Sequence, residues 1–241
     1  MTSMAAWVAV LATVAILAAY EIALAFGHRR SPARLARTAH AVLREEWFDA
    51  VSAQMGSEIL AVQTLRNSLM SATMTASTAA LGLMGTATLA APSLRASLGD
   101  APGMPGLSTR LALELALMVL LFASLASSVM AVRYYNHAGF IAAMPVESQA
   151  RRSWRDAGRF YLRRAGILYS WGLRHLMLVA PILAAMVHPA AGPVAALAVV
   201  AVLVGFDRFQ SPGGQPARLV AQGTGATEAG APAGACAQSG S

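Results

Sequence analysis

The chain has 241 residues, 56% hydrophobic and 12% charged, with a formal net charge of +7. Ordinary soluble domains carry about 25% charged residues. Half that density cannot cover the surface of a water-soluble fold of this size, which excludes a conventional soluble enzyme and points to a chain with several membrane crossings. All 18 basic residues are arginine. The single cysteine, Cys236, leaves no internal disulfide and no cysteine-based metal cluster.

A hydrocarbon core of about 30 Å takes about 20 helical residues. Apolar runs of that kind occupy residues 4–26, 68–91 and 111–132. A fourth run, residues 167–206, is too long for one crossing and contains His188-Pro189-Ala190-Ala191-Gly192-Pro193, a turn signal. Divided there, it predicts crossings at 167–187 and 192–206, five in all. The first run has no preceding positive charge and is longer than a signal core, so it reads as a retained anchor. Segments 27–67 and 133–166 together hold 13 arginines, whereas 92–110 holds two. Arginine-rich loops stay in the cytoplasm. The expectation is therefore an inner (plasma) membrane protein, N-terminus outside and C-terminus inside.

Two segments outside the spans have helical periodicity. In 41–60, Leu43, Trp47, Val51, Met55 and Ile59 recur every four residues. Gly56-Ser57-Glu58 marks a break before the second span, with Ser57 as N-cap. In 147–166, Arg151, Arg155, Arg159 and Arg163 form one ridge beside Trp154, Phe160 and Tyr161. A basic, aromatic helix at this boundary is expected to face anionic lipid, and nucleic acid is not expected as a partner. Residues 211–241 lack large apolar groups and are expected to be a disordered cytoplasmic tail beyond a transmembrane domain at 1–210.

The second span is the most polar. Thr64, Ser68, Ser71, Thr75, Thr78, Gly82, Gly85 and Thr86 fall within an arc of about 100° on a helical projection. Two readings fit such a face: close helix packing through small residues, or a water-lined wall repeated around a pore by several subunits. Arg66 and Asn67 sit at its cytoplasmic mouth, and an arginine ring there would favour anions. Ionisable residues near the inner ends of spans are Glu21, Arg133, His137, Arg174 and His175. A structural pairing of Glu21 with Arg174 or Arg133 is the first expectation. An ion or proton gate is the alternative, and a metal held by Glu21, His137 and His175 lacks regular ligand spacing. Glu114 has Arg110 four residues back on the same face, which reads as a local, solvated pair. No catalytic motif is present, so neither an enzyme nor a cofactor is expected.

Three stretches carry a resemblance: Arg133-Tyr134-Tyr135-Asn136-His137-Ala138-Gly139-Phe140, the run from Ile59 to Met70 with Ala76-Ser77-Thr78-Ala79, and Ala157-Gly158-Arg159-Phe160-Tyr161. Over about residues 5–208 the chain resembles the membrane family catalogued as domain of unknown function 599. That resemblance implies a helical integral membrane protein and supplies no activity. Tyr134 and Tyr135 suit interfacial anchoring, and Asn136 and His137 suit the satisfaction of helix-end backbone groups. The leading functional expectation is a self-associating channel or transporter for a small ion or solute, its path lined by the second span. The alternative is a structural or partner-binding membrane protein that uses the arginine ridge.

Overall fold

A computed structural model describes residues 2–30, 36–98 and 108–207. One compact unit comprises Met1–Arg208; the other, Phe209–Ser241, which contains the tail and Cys236, lies outside the described residues. The described residues form seven helices and no strand: α1 (Thr2–Arg30), α2 (Ala36–Ala53), α3 (Glu58–Leu98), α4 (Thr109–Ala143), α5 (Gln149–Met177), α6 (Val179–Val187) and α7 (Ala191–Asp207). The fold is the all-α membrane bundle that the hydropathy predicts.

Four stretches are long and apolar enough to cross a membrane: Met4–Leu24, Glu58–Ser97, Thr109–Ala143 and Gln149–Val187. The fifth, Ala191–Phe206, is apolar but shorter. At 1.5 Å per residue, the 17 residues of α7 measure about 25 Å, slightly less than a hydrocarbon core. The chain reverses at His188 as its composition predicts, with the His188 carbonyl accepting from the Ala191 N–H at 2.9 Å. The break between α5 and α6 has a local cause. Pro181 has no N–H to offer the Met177 carbonyl, and its ring crowds the preceding turn. The α-helix accordingly stops at Met177 and resumes at Val179.

α4 is the central helix, flanked by α3 and α5 along most of its length. α6, α7 and α1 continue the bundle, and α2 lies against the first half of α5. The core has two parts. Val10, Leu17, Leu117, Leu121, Leu178 and Ile182 belong to one. Phe48, Leu65, Tyr135, Ile141 and Leu162 belong to the other, at the arginine-rich end. Around the first, Val8, Leu11, Leu81, Met84, Val119 and Phe122 are exposed and form an apolar exterior suited to lipid.

The α2–α3 break falls where Gly56-Ser57-Glu58 predicts it. Gly56 has φ +78°, a left-handed conformation natural to glycine. The role of Ser57 differs from that of a side-chain N-cap. Its hydroxyl donates backwards, to the carbonyls of Val51 at 2.6 Å and Gln54 at 2.7 Å, and so closes the end of α2. Only its carbonyl serves α3, accepting from the Ala61 N–H at 2.9 Å. The four-residue apolar row of 41–60 is buried only at Val51 and, in part, at Trp47. Ala41, Phe48 and Val51 are buried, whereas Leu43, Met55 and Ile59 are exposed.

Close approach of helices uses small residues, as expected where no hydrophobic force separates helix from lipid. At the α4–α5 crossing the Ser124 hydroxyl donates to the Gly172 carbonyl at 2.7 Å, and a Cβ on Gly172 would overlap the Ser128 hydroxyl. Gly172→Leu should therefore destabilise the protein by about 2 kcal/mol or more in a denaturant titration in detergent, the usual cost of overpacking. Gly139→Leu, whose Cβ meets nothing within 4 Å, should change it little.

Candidate functional site

The small, hydroxylated face of α3 is divided by the fold. Thr75 and Thr86 are buried against the bundle, Ser68 and Gly82 are half-buried, and Thr64, Ser71 and Thr78 are exposed. A Cβ on Gly82 would stand 3.1 Å from a Leu121 methyl carbon, so this part of the face does pack on α4. Each hydroxyl donates to a carbonyl one turn back, among them Thr64 to Leu60 at 2.9 Å, Ser71 to Asn67 at 3.1 Å and Thr78 to Met74 at 3.0 Å. Such bonds satisfy the hydroxyl protons inside an apolar medium without a second helix. Arg66 and Asn67 are exposed at the arginine-rich end.

Toward the other end, the same face forms one wall of a groove of about 360 Å³. Thr78, Gly82 and Thr86 line it from α3; Leu183 and Met186 close it from α6; Glu114 and Leu117 form its floor on α4. Glu114 is the unusual member. Its side chain is 0% exposed, yet its only hydrogen-bonding neighbour among the described residues is the Arg110 Nε, 2.9 Å from Oε1, on a side chain that is 68% exposed. Oε2 is buried and accepts no hydrogen bond from the described residues. The pair is local, as its spacing predicts, but the carboxylate is not solvated: α3 and α6 cover it. The spacing to Arg110 was legible in the sequence, whereas the covering helices, distant in the chain, were not. A buried carboxylate oxygen without a donor among the described residues, in a largely apolar groove, is a costly arrangement that can accept a cationic donor.

The ionisable residues of the inner half differ in burial. Glu21 is half-buried on α1, and Arg174 is buried on α5. His175 is half-buried, with its ring stacked on Trp171 at 5.5 Å. Arg133 and His137 are exposed on α4, and the His137 ring lies 5.5 Å from that of Tyr161. Among the described residues no three His, Cys, Asp or Glu side chains come together as a metal site. Tyr134 meets Phe160 and Tyr161 at centroid distances of 6.5 and 5.8 Å. Two of the stretches that carry the resemblance are thus packed against each other. Tyr135 is buried in the core instead of anchoring at the interface.

The arginine ridge of α5 requires correction. Arg151 does not face lipid: it is 2% exposed. Its Nη1 donates to the carbonyls of Ile141, Ala142 and Met144 at the end of α4, and its Nη2 donates to Ser52 Oγ at 3.3 Å. The Ile141 carbonyl also accepts from the Met144 N–H at 3.2 Å, and a guanidinium supplies the charge and further hydrogen bonds that a helix C-terminus favours. Arg155, Arg159 and Arg163 turn toward acidic residues of α2. Arg155 pairs with Asp49 at 3.1 Å, Arg159 with Asp49 at 3.4 Å and Glu45 at 3.8 Å, and Arg163 with Glu45 at 3.3 Å. As the arginine number rises the acidic number falls, so α2 and α5 run antiparallel. Gly158 makes this contact possible, since a Cβ there would lie 2.5 Å from the Phe48 ring edge. Glu58, at the start of α3 outside the lipid-spanning part, joins the assembly by accepting from the Val146 N–H at 3.1 Å. Backbone N–H groups, its own and that of Val146, hold its carboxyl below the ordinary range, with Arg151 adding to the effect. That tie is complete at neutral pH and is lost only as the pH falls through and below the usual carboxylate range.

The chain belongs to the family described as protein of unknown function, DUF599, whose model matches residues 8–212. No curated protein and no solved structure matches it.

Replacing Arg151 removes the donors to three carbonyls and a cation buried between helices. Arg151→Leu should lower the unfolding free energy by about 3 kcal/mol, the scale for losing a buried, hydrogen-bonded charge. Arg152→Leu, at an exposed position one residue on, should stay within about 0.5 kcal/mol of the parent in the same titration.

Proposed function

We propose that the protein is a membrane transporter of lipophilic cations, with the groove between α3 and α6 as its binding site and Glu114 as the group that recognises positive charge. The observation that carries this reading is the pairing of a fully buried carboxylate with a largely exposed guanidinium. Leaving Glu114 without any cation would cost several kcal/mol in an apolar setting. Moving Arg110 into water costs little, because most of that side chain is already there. A cationic ligand in the groove therefore exchanges with Arg110 for the same carboxylate. The apolar walls provided by Leu117, Leu183 and Met186 suit a ligand body that enters from lipid, and the hydroxylated flank of α3 extends from the groove toward the arginine-rich end. This reading keeps the second span as the lining element and replaces an anion path with a cation path. Arg66, the basis for the anion expectation, stands on an exposed part of α3, and the ionisable group in the groove is acidic.

A multi-subunit pore is the second reading. Thr64, Ser71 and Thr78 remain exposed along α3, so a second copy could still cover them. Disulfide trapping of Ser71→Cys in membranes tests it, with a trapped dimer supporting the oligomer. In either case the distribution of arginine supports an inner-membrane setting with the α2–α5 layer on the cytoplasmic side and the N-terminus outside.

Proteoliposomes loaded with DNA and supplied with ethidium provide the test for transport. The parent protein should accelerate dye entry, Glu114→Gln should reduce that acceleration by about tenfold or more, and Arg110→Ala should increase apparent affinity by removing the competing cation. Dye entry equal to that of empty liposomes, or unchanged in Glu114→Gln, would overturn the reading.

A further inference from the structure

A second cavity, of about 360 Å³, lies between α2, α5 and α7. It has two chemically distinct parts. His40, Arg44, Tyr169, Ser170 and Arg174 provide polar groups, and Leu173, Met177, Leu203 and Phe206 provide an apolar track. None of the lining residues is acidic. The absence of a side chain at Gly166 shapes the polar part: a Cβ at that position would overlap the Arg44 guanidinium. Arg44 can therefore lie across the surface of α5, one turn and two turns from Ser170 and Arg174 on the same helix. Of the apolar residues, Leu173, Met177 and Phe206 are exposed, so the track opens outward rather than ending inside the protein.

We infer that this cavity binds an anionic phospholipid, with its phosphate held at Arg44 and Arg174 and an acyl chain lying along Leu173, Met177 and Phe206. Arginine binds phosphate with two parallel charge-assisted hydrogen bonds, and the hydroxyls of Tyr169 and Ser170 offer further donors. Basic pockets between helices at the cytoplasmic side of a membrane suit anionic headgroups. A soluble phosphate would use only the polar half. The outward-opening apolar half selects a ligand that carries hydrocarbon. The site uses neither the groove nor Glu114, so it stands independently of the transport reading.

Native mass spectrometry of the full chain, released from nanodiscs containing equal amounts of phosphatidylglycerol and phosphatidylcholine, tests the inference. The parent protein should retain phosphatidylglycerol preferentially, and Arg44→Gln should reduce that retention by about tenfold, the scale of one charge-assisted contact. Phe206→Glu, at a position 75% exposed and so tolerated by the fold, should reduce it as well by placing negative charge on the acyl track. Arg66→Gln, on exposed α3 surface, should leave it unchanged. Equal retention of the two lipids, retention unaffected by both Arg44→Gln and Phe206→Glu, or full displacement of the lipid by millimolar inorganic phosphate would each overturn the assignment.

Discussion

A helix of 41 residues, such as α3, is about 60 Å long, twice the thickness of a hydrocarbon core, and the 35 residues of α4 span about 50 Å. Both helices must therefore leave the lipid and continue into water, and they do so at the same end. α5 begins at that end with a run of charged residues and becomes apolar only past its middle. The same three helices thus build two tiers. One is wrapped by exposed Leu81, Met84, Val119 and Phe122; the other, which α2 joins, carries Glu46, Asp49, Arg155 and Asp156. The division of the core into two clusters follows from this geometry, because the change of solvent along each helix changes which side chains can be buried.

The water-exposed tier is held by charge inside the protein. Arg151 satisfies the end of α4 and reaches Ser52 on α2, while Asp49 and Glu45 bind Arg155, Arg159 and Arg163 of α5. The exposed pairs contribute about 0.5 kcal/mol each, much less than the buried Arg151. Their value lies in direction: alternating partners fix α2 antiparallel to α5, with Phe48 seated over Gly158. A ridge of like charges suited to an anionic membrane surface is thus matched within the chain. The basic cavity beside Arg44 is then the place where positive charge meets exposed apolar surface.

The spans, their turns and the α2–α3 break were legible in the sequence because each has a local cause: an apolar run of the right length, Gly56, or a His-Pro turn. Pro181 was equally local, and it accounts for the α5–α6 interruption. Tertiary partners were not legible. Helical spacing put Arg151 with Arg155 and Arg159, but four residues per turn cannot distinguish a side chain facing lipid from one facing the carbonyls of another helix. Spacing likewise paired Glu114 with Arg110 without revealing that residues some 70 positions later cover the carboxylate. The hydroxylated stripe of α3 was visible as a face, yet its division into a packed edge, a groove wall and an exposed flank depends on where α4 and α6 lie.

Depth measurement addresses the two-tier arrangement most directly. Spin labels placed singly at Met84, Val119, Phe122, Glu46, Gln63 and Asp156 report collision with oxygen, which concentrates in lipid, or with a water-soluble nickel chelate. In liposomes the account predicts oxygen-dominated collision at Met84, Val119 and Phe122 and nickel-dominated collision at Glu46, Gln63 and Asp156. Nickel access at Val119 and Phe122, or lipid-like oxygen access at Asp156 and Gln63, would contradict it.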